Sequence, residues 1–364
     1  MWKTGPVGRY LRQYFYPSPG VVAVQDSSYT RDGHELRASV YRPAALKRRA
    51  PAWIVLHGLT YHGPRHPGLQ RFASALAAAS HVVFIPEIRE WSRLVVAPML
   101  TLPTIHAAAD AALLRDDVDP ERLGVFGFSF GATHAIATAG DVQLAQRIKA
   151  IIAWGGYAEV ARLVEFGLTG EHELDGARES MTPDPYGRWI TGANYITDVP
   201  GYHDMGRVAD ALLQLALEAG RLRIFAGDPA LDPHKRELAA VLDTRERRVF
   251  ELFAPIAPHD TAAARAFGGA LSETIVARDP LMEPGPRLGA VRIPVLLAHG
   301  RDDRLIPYTE SLRLQRRLPA ALVAGCTITD LFAHSGGTEP GLGLGLVREG
   351  ARFINLLNRI LTTL

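Results

Sequence analysis

The sequence predicts a doubly wound α/β fold, a mostly parallel sheet with helices on both faces, interrupted by one helical insertion. Three observations carry this expectation. Short apolar runs alternate with helix-like stretches through residues 1–157. The alternation lapses over residues 158–288 and resumes with the strand-like Val291–Ala298. Between an apolar run and a helix start lies Gly127-Phe128-Ser129-Phe130-Gly131, a sharp strand-to-helix turn.

In chain order, residues 7–16 are basic and aromatic and read as a short helix, ended by Pro17, that packs on its own domain. Val21–Gln25 and His34–Tyr41 flank Arg31-Asp32-Gly33, the turn chemistry of an antiparallel hairpin. Pro51–Leu56 is continuously apolar, as a strand buried on both faces should be, and runs into His57-Gly58-Leu59-Thr60. A helix over Gly68–Ala79, a strand at His81–Pro86 and a helix around Ile105–Leu114 follow. Leu123–Phe126 forms the central strand before the sharp turn, and Ile148–Trp154 the strand after it. From about Tyr157 to Gly289 the pattern is helical, as in Val208–Ala216 and Arg236–Leu242, with few convincing strands. The expected division is therefore a core of 1–157 and 289–364 carrying a helical cap of 158–288.

Composition narrows the function. The 364 residues are 47% hydrophobic and 21% charged, a globular profile. A formal net charge of +2 gives no electrostatic case for nucleic acid as a partner. Cys326 is the only cysteine, so no intrachain disulfide forms, and its apolar neighbours make it a small core residue. No stretch is apolar enough for a signal segment or a membrane span, so the expectation is a soluble, cytoplasmic protein. Nothing in the sequence sets the oligomeric state.

The chemistry centres on the sharp turn. Glycine two positions to either side lets the chain fold tightly enough to lift Ser129 clear of the sheet, as in a nucleophile elbow. A serine hydroxyl is a poor nucleophile at neutral pH and needs a base, which needs an orienting acid. On such a sheet the partners arrive in the order serine, acid, histidine. The acid candidate is Asp303 in His299-Gly300-Arg301-Asp302-Asp303-Arg304, directly after a strand, with Asp302 as its competitor. Of 13 histidines only His334 lies beyond it, in a loop after the strand-like Ala324–Thr329. The oxyanion requires backbone donors: the Phe130 amide at the helix start, and one from the loop after Leu56. Leu59 is the candidate there, with Thr60 and Tyr61 as alternatives.

These residues carry a resemblance. The run Asp119–Gly131, His57-Gly58, the Asp303 motif and His334 identify the chain as similar to the α/β-hydrolase superfamily, on both sides of the insertion. The stretch leading to Ser129 resembles dienelactone-hydrolase-like and acyl-peptidase-like members, although dienelactone hydrolases carry cysteine where this chain has serine. The resemblance implies a serine hydrolase acting on a small-molecule carboxylic ester, with no cofactor and no metal, beneath a cap placed after the strand that follows the elbow helix. Thioesterases, amidases or peptidases, and acyltransferases share the acyl-enzyme. A non-catalytic ligand-binding protein on the same fold is the alternative of a different class.

Other clusters invite simpler readings. The spacing of His57, His62 and His66 is compatible with metal ligation, but no acidic residue is close by, and His57 is expected to hold the loop by hydrogen bonding. His106 and Asp110 stand at helical spacing and are expected to pair. His134 falls on the elbow helix, out of reach of Ser129. The insertion's aromatics, Tyr186, Trp189, Tyr195, Phe250 and Phe253, either touch an apolar substrate or build their own core.

Overall fold

The computed structural model describes residues 5–256, 261–331 and 344–364. Its strands are β1 (Val22–Arg31), β2 (His34–Pro43), β3 (Ala50–Leu56), β4 (Val82–Pro86), β5 (Val118–Phe128), β6 (Ile151–Trp154), β7 (Glu171–Leu174), β8 (Ala177–Ser180), β9 (Val295–Gly300) and β10 (Val323–Thr329). Eight of them form one sheet in the order β1-β2-β4-β3-β5-β6-β9-β10. β2 runs antiparallel to both β1 and β4, and every other pairing is parallel. The β1–β2 hairpin closes through Asp32 (φ 52°) and Gly33 (φ 76°), a two-residue loop that needs left-handed backbone at both positions.

The apolar runs are continuous because both faces of the sheet are covered. Along β3, Ala52, Ile54 and Leu56 join one hydrophobic cluster while Trp53 and Val55 join the other. The second cluster is closed by the helices Pro6–Phe15, Pro67–Ala78 and Leu344–Thr362, the last through Leu356, Leu357, Ile360 and Leu361. The N-terminal helix packs on its own domain, with Tyr10 edge-on to Phe72 and Arg9 donating to the Ala78 carbonyl at 3.2 Å. On the opposite face lie the helices Thr101–Leu113 and Phe130–Thr138. Among the described residues no helix is long and apolar enough to cross a membrane.

The chain between β6 and β9 is mainly helical, but it holds the separate β7–β8 hairpin that the sequence did not signal. Those strands are short and charged, and tertiary contacts fix them: on β7, Arg162 with Glu173 at 3.1 Å and Arg265 with Glu171 at 2.8 Å, and on β8 the Tyr308 hydroxyl donating to Glu179 at 2.8 Å. Two buried-side carboxylates pin the start of the segment. Glu310 accepts the Ala158 and Glu159 amides at 2.9 and 3.1 Å, and Glu283 accepts the Val160 amide at 3.0 Å. Burial raises the pKa of Glu310 despite these bonds. The segment's apolar side chains, among them Leu212, Phe250 and Phe253, continue the same hydrophobic cluster that covers one sheet face.

One local expectation changes, and that for Cys326, which packs against the core, stands. His106 does not pair with Asp110: its Nε2 lies 3.2 Å from Asp141, and Asp110 accepts from Arg147 at 2.6 Å. Both side chains turn instead to the helix Val142–Arg147 and its Asp141 cap. Cys326 is half-buried, and burial pushes its thiol up to about 11.

Close packing in the chain between β6 and β9 is tested at Gly192, in the helix Pro185–Tyr195. A Cβ there would stand 2.6 Å from Leu212 and 2.9 Å from Phe253. Gly192→Ala is expected to cost roughly 1–3 kcal/mol by overpacking, read as a lower denaturant midpoint at unchanged m-value.

Candidate active site

β3, β5 and β9 are parallel, so their carboxyl ends emerge along one edge, where open α/β sheets place ligands. His57–Thr60 leaves β3 there, Ser129 leaves β5, and the turn holding Asp303 leaves β9. β10 delivers its own carboxyl end to the same edge, with Thr329 opposite Gly300. His334 lies outside the described residues.

Ser129 occupies φ 54°, ψ −122°, a left-handed backbone that a side chain rarely adopts. Its amide donates to Trp154 O at 2.8 Å, tying the apex to β6, and its carbonyl accepts from Ala132 at 2.9 Å, starting the helix. The flanking glycines are required by contact. A Cβ on Gly127 would lie 2.4 Å from Gly131 O, and one on Gly131 would lie 2.8 Å from His57 O. The elbow thus closes on itself and against the end of β3.

That second contact brings the β3 loop to the serine: a Cβ on Gly58 would meet Ser129 Cβ at 3.2 Å. Leu59 and Phe130, the proposed oxyanion residues, line the same cavity as Ser129. The Phe130 amide opens the helix and is one of those a helix cannot pair internally. His57 stands behind the loop. Its Nδ1–H donates to Gly58 O at 2.7 Å, its Nε2 accepts from the Ile88 amide at 3.4 Å, and its ring meets Trp91 edge-on. Burial pushes its pKa down to about 4, so it stays neutral. The chain between β6 and β9 braces the same loop: His62 Nε2 donates to Gly220 O at 3.0 Å. His134 contacts Phe130 and the Tyr157 hydroxyl, which donates to Met282 O at 2.9 Å.

Asp303 is buried, 1% exposed, while Asp302 faces solvent. Asp303 Oδ1 accepts the amides of Leu305 at 2.9 Å and Ile306 at 3.1 Å. Its Oδ2 lies 3.3 Å from His299 Nε2. His299 is held in turn by Ser311 Oγ at 2.6 Å, donating to Nδ1, and by its own Nε2–H donating to Ile306 O at 2.9 Å. This buttress of His299 and Ser311 was not singled out from sequence. The one available signal was a histidine closing an otherwise apolar strand; Ser311 carried none.

The cavity at Ser129 measures about 100 Å³ and is walled mainly by apolar side chains of the chain between β6 and β9. Tyr186, Tyr195 and Phe253 line it, whereas Trp189 and Phe250 are packed into the core. Its polar groups are mostly turned inward. Tyr195 donates to Asp279 at 2.8 Å, and Arg188 donates to Phe253 O at 2.6 Å and Gly167 O at 3.1 Å, its pKa lowered by burial to about 10. The Tyr186 hydroxyl is buried beside Thr60 and Tyr61, and burial raises its pKa, yet it makes no hydrogen bond of normal geometry among the described residues. Among the described residues no group of three or more His, Cys, Asp or Glu is placed to hold a metal ion.

The eight-stranded order, the antiparallel β2 and the strained serine between β5 and its helix make this the α/β-hydrolase fold. No family model matches the chain, and no curated protein does. Solved structures similar to it include Est1E from Butyrivibrio proteoclasticus (14% identity, 92% of this chain and 98% of that one, TM-score 0.44). The esterase Est22 is 16% identical over 96% of this chain and 81% of its own, with a TM-score of 0.49. The acylaminoacyl peptidase of Pyrococcus horikoshii is 14% identical over 96% of this chain and 42% of its own, with a TM-score of 0.48.

Three buried histidines give the fold a defined acid limit. Burial holds His57 and His81 at about 4 and His134 at about 3. The unfolded chain binds these protons near pH 6.5 and the folded chain does not, so the stability these histidines contribute is fully present above that pH and is lost through the window down to about 4 for His57 and His81 and about 3 for His134. His57 alone is expected to cost about 2 kcal/mol between pH 7 and pH 5. Thermal midpoints measured from pH 8 to pH 4.5 should be flat above 7 and drop below 6.5.

Proposed function

We propose that this chain is a serine hydrolase that cleaves carboxylic esters through an acyl-enzyme on Ser129. The observation that carries the reading is the strained backbone of Ser129 at the end of β5, opening on an apolar cavity. A non-glycine residue held there costs roughly 1–3 kcal/mol, a strain that clusters at functional sites.

In this mechanism Ser129 Oγ attacks the acyl carbon as His334 takes its proton, and His334 returns that proton to the departing alcohol. Water then attacks the acyl carbon by the same route and frees the acid. Asp303 orients the imidazole and offsets its charge, held still by two backbone amides and by His299. The amides of Phe130 and Leu59 hold the oxyanion, the first aided by the positive end of its helix. Residues 158–288 act as the cap that supplies the cavity's apolar walls.

The test is steady-state hydrolysis of p-nitrophenyl esters, beside a thioester and an anilide of the same acid. Ser129→Ala should abolish turnover. Asp303→Asn should lower kcat by roughly 10⁴-fold by favouring the wrong imidazole tautomer, whereas Asp302→Asn should change it little. An equal loss at Asp302 would reassign the acid, and faster thioester or anilide turnover would reassign the substrate.

A further inference from the structure

Glycine within a helix weakens it relative to alanine, so a helical glycine on a cavity wall raises the question of what its missing side chain leaves open. In the helix Pro185–Tyr195 the requirement at Gly192 is packing, as shown by its contacts to Leu212 and Phe253. Gly268, in the helix Thr261–Arg278, is tight but less so, since a Cβ would stand 3.0 Å from Leu168. Gly187 and Gly167 differ. Neither has positive φ, and a Cβ would meet only Leu305 at 3.5 Å and Arg188 at 3.6 Å, ordinary contact distances. Among the described residues no contact requires glycine at these two positions, and, unlike the equally unconfined Gly269 and Gly350, both line the cavity at Ser129.

We infer that Gly187 and Gly167 keep open an acyl pocket and set its length, limiting the acid part of the substrate to a short apolar chain. This rests on the ester-hydrolase reading above and names its substrate class. The cavity of about 100 Å³ compares with an apolar cavity of about 150 Å³ that takes benzene, so it suits a chain of about four carbons. Its charged and phenolic groups are largely spent on internal partners, leaving apolar wall from Leu163, Ile190 and Leu271. The acyl group is the part assigned to it because it stays on Ser129 between the two steps, whereas the alcohol must leave after the first.

The experiment compares wild type, Gly187→Ala and Gly167→Ala on p-nitrophenyl acetate, butyrate and hexanoate, on butyrates of differing alcohols, and by melting midpoint. Each alanine should leave the midpoint at or above that of wild type. Each should cut the butyrate-to-acetate ratio of kcat/KM at least tenfold, since one methylene in an apolar pocket is worth about 10–200-fold. The product acid butyrate should raise the midpoint of wild type and not of the variants, a readout that needs no turnover. A raised midpoint with an unchanged acyl ratio would overturn the inference, as would a lowered midpoint, which would mean packing requires the glycines. A shift confined to the alcohol series would move the pocket to the leaving group. Wild type that turns over no ester yet is stabilised by butyrate would sink the hydrolase reading and leave the pocket standing.

Discussion

The whole site depends on one steric constraint, the mutual approach of Gly127, Gly131 and the end of β3. With a Cβ at either glycine, backbone atoms would collide at 2.4–2.8 Å. Without one, the helix Phe130–Thr138 starts directly at the sheet edge and the loop after β3 comes within van der Waals reach of Ser129. Two features of the proposed chemistry therefore share a single cause. The turn that lifts the serine also docks the loop that offers the second oxyanion donor.

Rigidity elsewhere serves the same end. His57 is kept neutral by burial and clamps the loop between Gly58 O and the Ile88 amide. On the acid side a chain of polar contacts runs from Ser311 to His299 to Asp303, all buried. Such networks rigidify a site when their members are satisfied. The same burial that fixes His57, His81 and His134 exposes the protein to acid, so one physical term supplies both order and its pH limit.

Most of the core was legible because strands buried on both faces leave continuous apolar runs, as in Pro51–Leu56. The glycine spacing around Ser129 was legible because the turn tolerates no side chain there. What was not legible depends on tertiary partners. β7 and β8 are too short and charged to show a period, and Arg162 and Arg265 fix β7, and Tyr308 β8, from other elements. β5 begins at Val118, before Asp119-Pro120, because Ala50 pairs there across a register shift that local sequence does not show. His106 chose Asp141 over Asp110, and Ser311 gave no sign that it supports His299. Asp303 and Asp302 are neighbours in sequence, and what separates them is tertiary: Asp303 is buried and held by the Leu305 and Ile306 amides and His299, while Asp302 faces solvent.

The central claim is that Ser129 is an activated nucleophile, and a fluorophosphonate probe reads this most directly. Intact mass of the folded protein should show a single covalent adduct, peptide mapping should place it on Ser129, and Ser129→Ala should show none. A folded wild type that stays unmodified, or an adduct that maps to another residue, would contradict it.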